Sequence, residues 1–100
     1  VRGEVIRGKF RNSLEKLEPF TPEEVTQVNF NMMDVFHTFL RGHRIMVHIQ
    51  STWFPLIDRN PQKFVDIYNA KQSDFQKATQ KVYRSAKYPS RLIIRVLKNP

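Results

Sequence analysis

The chain has 100 residues, of which 40% are hydrophobic and 12% aromatic. This composition argues against disorder and is sufficient for one packed domain. No apolar run approaches the roughly 18–20 residues of a membrane span, and cysteine is absent, so disulfide and thiolate chemistry are excluded. The start shows neither a leader pattern nor methionine, which predicts a piece of a longer protein.

The net charge of +8 is concentrated in the second part of the chain. Residues 1–62 hold eight Lys/Arg against seven Asp/Glu, whereas residues 63–100 hold nine against two. A basic region of this kind binds nucleic acid, an anionic surface or an acidic protein, or is only a solvated face. The charge alone leaves all four interpretations open.

Alternation of apolar and polar residues is the main structural pattern along the chain. It indicates antiparallel strands with one face on a core, most clearly at 25–32, 43–50 and 90–98. Shorter candidates lie at 4–7, 35–40, 64–68 and 79–85. Just before the candidate strand 25–32, the sequence at 21–24 (TPEE) predicts a turn. The capping-box form at 73–76 (SDFQ) predicts one short helix. The fold class predicted is all-β: a single antiparallel β-sandwich domain or domain fragment over residues 1–100.

Catalytic chemistry finds little support in the residues. Glycine occurs only at 3, 8 and 42, so the G-x-S-x-G turn of an α/β-hydrolase nucleophile is missing. Ser51 can be combined on paper with a histidine and an aspartate, but any short chain with five serines and three histidines allows that. His43 and His48, five apart on one predicted strand, face opposite sides and form no metal-binding pair. We therefore expect no catalytic residue, no metal and no cofactor in this chain.

Two binding functions remain as alternatives from the residues alone. Lysines, arginines and tyrosines interleave between 81 and 95, as in surfaces that hold a phosphate backbone. No nucleic-acid-binding motif accompanies them, and nucleic acid is not expected as the partner. Trp53, the only tryptophan, lies in the predicted long loop 52–62 and could stack on a carbohydrate. An independent basic module for nucleic acid or carbohydrate is thus the alternative function.

One long stretch resembles a known family. The sequence 42–62, GHRIMVHIQSTWFPLIDRNPQ, resembles the C-terminal non-catalytic domain of X-Pro dipeptidyl-peptidase and cocaine-esterase-like serine hydrolases. The sequence 1–13, VRGEVIRGKFRNS, is similar to an arginine-rich run of that domain, and 78–97 to its closing strands. The similarity is greatest to the α-amino-acid ester hydrolase and glutaryl acylase branch.

The resemblance implies a jelly-roll, galactose-binding-like β-sandwich of which this chain is the C-terminal part. It implies an accessory role, scaffolding or docking onto the catalytic α/β-hydrolase domain of the same polypeptide. The parent protein would be a serine hydrolase such as an acylase, an ester hydrolase or a dipeptidyl-peptidase, secreted or periplasmic. A homo-oligomer stays open, and no membrane partner is expected.

The stretch 42–62 is the part of the chain for which we predict a docking role. In the turn before the central strand, Gly42 supplies the backbone freedom. We also expect Arg44, Asp58 and Arg59 to form a local ion pair that fixes the shape of the loop that follows. Asp58 or Asn60 should hold that loop by bonding its own backbone. The predicted structural or docking residues are Gly42, His43, Arg44, Trp53, Phe54, Pro55, Asp58, Arg59 and Asn60.

Overall fold

The structure, a computed structural model, describes residues 1–98. Regular structure in this part of the chain consists of three 3₁₀ turns of three residues each, Gly8–Phe10, Ile67–Asn69 and Gln72–Asp74. No α-helix and no β-strand occurs between residues 1 and 98. The remainder of that range is turns, bends and irregular backbone.

The predicted all-β sandwich is therefore wrong for this structure. Strands require a ladder of backbone hydrogen bonds to a neighbouring segment, and the ladder is missing. In residues 1–98, backbone bonds outside helices close local turns, with two longer-range exceptions: Glu18 to Lys9 (3.0 Å) and Gln76 to Pro61 (3.1 Å). Alternation of apolar and polar residues predicts which side chains would share a face of a strand, but it does not predict which segment the strand would pair with.

Packing is equally incomplete. The accessible surface is 10227 Å², against about 5,900 Å² for a folded monomer of this mass. The radius of gyration is 16.6 Å, compared with about 13 Å for a compact domain of 100 residues. Among residues 1–98, no hydrophobic core residue is buried, and Pro61 alone is fully enclosed. Most apolar side chains between 25 and 56 and between 82 and 97 are exposed.

The best-packed region joins the N-terminal segment to residues 57–75. The half-buried residues are concentrated in 4–18 and 57–75. The Lys9 ammonium donates to the Val65 carbonyl at 3.2 Å, which ties the first 3₁₀ turn to the second segment. A cavity of about 530 Å³ lies between them, with apolar walls that include Phe10, Leu17 and Phe64.

Arg11 organises the loop that follows the first 3₁₀ turn. Its guanidinium donates to the carbonyls of Gly8 (3.0 Å), Glu18 (2.8 Å) and Pro19 (3.1 Å). The same group lies 4.2 Å from the centre of the Phe20 ring, and the side chain is only 8% exposed. One planar cation thus satisfies three backbone acceptors and holds residues 8–20 as a closed loop.

Two local predictions have different outcomes. The turn predicted at 21–24 is confirmed: the Glu24 N–H donates to the Thr21 carbonyl at 3.2 Å, and Glu23 has a φ of +63°. The short helix predicted after Ser73 is wrong. A 3₁₀ turn, Gln72–Asp74, occurs there instead, and its Asp74 carboxylate accepts from the Lys71 N–H at 2.9 Å. The capping group is present, but no helix propagates from it.

Candidate docking loop

Gly42 makes the turn that opens the candidate docking loop. Its φ is +84°, in the left-handed region that favours glycine, and the His43 N–H donates to the Leu40 carbonyl at 3.0 Å. The predicted turn is therefore present, although no strand follows it. His43 and Arg44 lie exposed immediately after the turn. Neither side chain has a hydrogen bond or an ion pair within residues 1–98.

Trp53 packs back against the start of the chain. A Cβ atom placed on Gly3 would lie 2.7 Å from Cη2 of the indole, so glycine is what allows the ring to sit there. The indole remains 39% exposed, while Phe54 is 62% exposed and precedes Pro55 through a cis peptide bond. The Trp53 carbonyl accepts from the Ile57 N–H at 2.9 Å, which closes a turn in the loop. Trp53 is partly covered and Phe54 is available for contact.

The end of the loop is anchored at residues 60–62. The Asn60 Oδ1 accepts from the Gln62 N–H at 3.0 Å, as expected for asparagine in a turn. Gln76 donates from its backbone to the Pro61 carbonyl (3.1 Å) and from its side chain to the Gln62 carbonyl (2.8 Å). Gln80 adds a bond to the Gln62 Oε1 at 2.9 Å. These contacts connect the loop to residues 76–80.

The predicted local ion pair among Arg44, Asp58 and Arg59 does not form. Within residues 1–98 the ion pairs are Arg2–Glu4, Arg11–Glu18 and Lys63–Asp74. Arg59 lies instead over the Phe75 ring at 4.6 Å from its centre. This cation–π contact leaves the Arg59 guanidinium exposed to solvent, so its charge is not desolvated as it would be in a buried ion pair. Asp58 is exposed beside it.

Asp74 is the titratable group whose environment is most clearly altered. Its pKa is lowered from 3.8, first because its carboxylate accepts from the Lys71 N–H and second because it accepts from the Lys63 ammonium at 3.2 Å. Hydrogen bonds to the charged form favour ionisation. The first contact closes the 3₁₀ turn and the second ties that turn to Lys63, which is a structural role for this carboxylate.

The residues considered for catalysis are not brought together. Ser51 has no hydrogen bond to a histidine anywhere in residues 1–98. His48 contacts the Met46 sulfur at 2.8 Å, and His37 packs edge-on against Phe39. Over the same described range, no group of three or more His, Cys, Asp or Glu side chains could hold a metal ion, and no helix is long and apolar enough to cross a membrane.

Arg11 is the residue whose importance the sequence analysis missed. The run VRGEVIRGKFRNS was noted for its arginines, but nothing in it distinguishes Arg11 from Arg2 or Arg7. The available signal was Pro19, beside which two backbone carbonyls, those of Glu18 and Pro19, need a donor. Only the folded loop shows which arginine reaches them.

Comparison with known proteins identifies the family of this chain. Residues 5–93 match the family model of the X-Pro dipeptidyl-peptidase C-terminal non-catalytic domain. The chain belongs to this domain family, a non-catalytic part of hydrolases.

One relative is much longer than this chain. The chain is 28% identical over 94 residues to a cocaine esterase of Rhodococcus sp. (strain MB1 Bresler). The alignment covers 94% of this chain and 16% of the esterase, so the chain spans about a sixth of that relative's length. No solved structure matches the chain.

Proposed function

We propose that this chain is an accessory domain of a serine hydrolase that acts on ester, amide or acyl bonds. In this proposal it scaffolds the enzyme by docking onto the catalytic α/β-hydrolase domain of the same polypeptide, with residues 42–60 at the contact. The family membership supports the non-catalytic role, and the name of the esterase relative supports the class of reaction. Any nucleophile, acid and base would belong to the catalytic domain.

The observation that carries the docking proposal is the exposed apolar surface. The chain is 40% hydrophobic, yet residues 1–98 bury no hydrophobic core residue. Its surface exceeds that of a folded monomer of equal mass by roughly 4,000 Å². A standard interface covers about 800 Å² on each partner, so the excess is larger than one such interface. Exposed apolar side chains such as Phe36 (92% exposed) and Ile93 (85% exposed) indicate a surface that another part of the protein covers.

Domain coupling in the full-length polypeptide tests the proposal. We expect calorimetry to show one unfolding transition for this segment and the catalytic domain together. Deletion of the segment should lower the catalytic domain's midpoint by several degrees, since covered apolar surface becomes exposed. Two independent transitions, with the catalytic midpoint unchanged by the deletion, would contradict docking.

Ester hydrolysis by the same protein tests the assignment of chemistry. The full-length polypeptide should hydrolyse an activated ester, and Ser51→Ala should retain that activity because Ser51 contacts no base. The isolated chain should show no turnover. Loss of activity on Ser51→Ala, with folding intact, would place the nucleophile in this chain and refute the non-catalytic role proposed for it.

A further inference from the structure

The segment 77–98 carries positive charge without any acidic residue to balance it. Its sequence contains no Asp or Glu. Every residue in it is exposed, and none of its cations has an ion pair within residues 1–98. The cations are Lys77, Lys81, Arg84, Lys87, Arg91, Arg95 and Lys98. We call this segment the basic segment.

Part of the basic segment is held in a defined turn. The Ser90 hydroxyl donates to the Tyr83 carbonyl at 2.6 Å, and the Tyr88 N–H donates to the Ser85 hydroxyl at 3.0 Å. The rings of Tyr83 and Tyr88 meet edge to face, with centres 5.5 Å apart and planes at 64°. The turn therefore presents Arg84 and Lys87 from a constrained backbone, which reduces the ordering cost of a contact there.

Three consecutive aliphatic side chains lie between two cations after this turn. Ile93 is 85% exposed, and its neighbours Leu92 and Ile94 are also exposed, between Arg91 and Arg95. A surface that covers this part must provide apolar contacts as well as negative charge. A phosphate backbone provides charge alone, whereas a protein surface provides both.

Two other partners for the basic segment, nucleic acid and a second copy of the chain, fit less well. Part of the aromatic surface that would stack nucleic-acid bases is engaged, because Tyr83 and Tyr88 meet edge to face and the Lys87 ammonium lies 5.2 Å from the Tyr88 ring centre. A second copy of the chain would bring one basic segment against another in a two-fold contact, which like charges oppose.

We infer that the basic segment docks onto an acidic protein surface with an apolar centre, supplied by the rest of the same polypeptide. This inference rests on the proposed function and adds a second contact segment, besides residues 42–60, and the chemistry that it meets. The carboxylates would pair with Arg91 and Arg95 around the aliphatic residues between them. Charge complementarity at such an interface fixes the register of the two parts.

Charge reversal in the full-length polypeptide tests the inference. In the double variant Arg91→Glu/Arg95→Glu, the basic segment should dock less, so a protease should cleave it from the polypeptide at least about tenfold faster at low salt. The effect should shrink at high salt, because screening weakens the repulsion introduced. Lys16→Glu, at an exposed cation outside both the basic segment and residues 42–60, is the control and should leave release unchanged. The neutral double variant Arg91→Gln/Arg95→Gln should accelerate release by a smaller factor. It provides the test if the charge-reversed variant does not fold.

The outcomes separate this inference from the proposed function. If both double variants still unfold in one transition with the catalytic domain and their proteolytic release is unaltered, the inference is overturned. The proposed docking of the domain then still stands. Independent unfolding of the unaltered protein overturns both. A DNA duplex bound at physiological salt and lost in the variants would assign the segment to nucleic acid. A change in sedimentation mass instead of release would assign it to a second copy, and either result overturns the inference.

Discussion

Individual side chains in this protein have effects that their residue types do not reveal. Arg2 and Arg11 are both arginines of one run, yet their environments differ. Arg2 pairs with Glu4 at 3.4 Å and its side chain is 32% exposed, whereas Arg11 is nearly enclosed and donates to three carbonyls. Exposed ion pairs contribute about 1 kcal/mol or less. Enclosed charge-assisted hydrogen bonds contribute about 1.5–3 kcal/mol each and are not additive.

The first prediction follows from this contrast. Arg11→Met should lower the free energy of unfolding by about 2–4 kcal/mol, because three carbonyls lose their donor. Arg11→Lys should recover only part of the loss, since an ammonium lacks the planar fork. Urea denaturation of the full-length polypeptide measures both, with Arg2→Met as the control, expected within about 1 kcal/mol of the unaltered protein. Equal effects at the two positions would show that the Arg11 loop is not a stabilising unit.

The second prediction concerns Asp74. Because its pKa is lowered in the folded protein, the carboxylate contributes stability above its unfolded pKa. That contribution is lost as the pH falls through the lowered folded value. NMR titration of the Asp74 side chain should show a midpoint below 3.8, and Lys63→Met should raise the midpoint toward that value without reaching it. The Lys71 N–H, the larger cause, remains in the variant. A midpoint unmoved by Lys63→Met would remove the ammonium as a cause.

At the scale of elements, the loop from Trp53 to Gln62 is defined by its two ends. One end packs the Trp53 indole against Gly3, and the other is held by Asn60 and by Gln76. The middle, which includes Phe54, has few contacts. A loop fixed at its ends and exposed between them is suited to contact with a neighbour, because little ordering is needed on binding.

The third prediction tests the packing of Trp53. Gly3→Ala should displace the indole, since the added Cβ would lie 2.7 Å from it. Tryptophan emission should shift to the red, and a water-soluble quencher should act more strongly. Gly42→Ala is the matched control: it has space around it but a φ of +84°, so it should cost about 1 kcal/mol or more without altering emission. Unchanged emission in Gly3→Ala would show that the ring does not rest on Gly3.

At the scale of the whole molecule, exposed apolar area dominates the behaviour of the separate chain. Phe36 is 92% exposed, and many apolar residues between 25 and 56 are exposed with it. Patches of this extent cause association when nothing covers them. The net charge of +8 opposes association but acts mostly through residues 63–100.

The fourth prediction is that the separate chain binds a hydrophobic dye and self-associates, whereas the full-length polypeptide does neither. Phe36→Asp should reduce association measurably in sedimentation, because it removes one of the most exposed rings. Thr38→Asp adds the same charge at an exposed polar position and should have a smaller effect. Equal effects of the two variants would attribute association to charge and not to apolar area. A monomeric, dye-free chain would contradict the prediction altogether.

The sequence by itself determined the family and the local turns. The match over residues 5–93 agrees with the resemblance in the stretch 42–62, and the turns at 21–24 and at Gly42 form as predicted. Family identity depends on residue order alone. Turns depend on the φ preferences of a few adjacent residues and on one short-range hydrogen bond, so both can be inferred without distant contacts.

Only the tertiary structure decided what the alternating segments and the arginines do. The segments 25–32 and 43–50 have the alternation of strands but find no ladder partner in residues 1–98, because pairing requires a second segment at a specific register. The roles of Arg11 and Trp53 likewise depend on neighbours brought close by the fold. Arg11 donates to the Glu18 carbonyl, and the Trp53 indole packs against Gly3. Such contacts depend on where the chain returns in space, which short-range preferences do not specify.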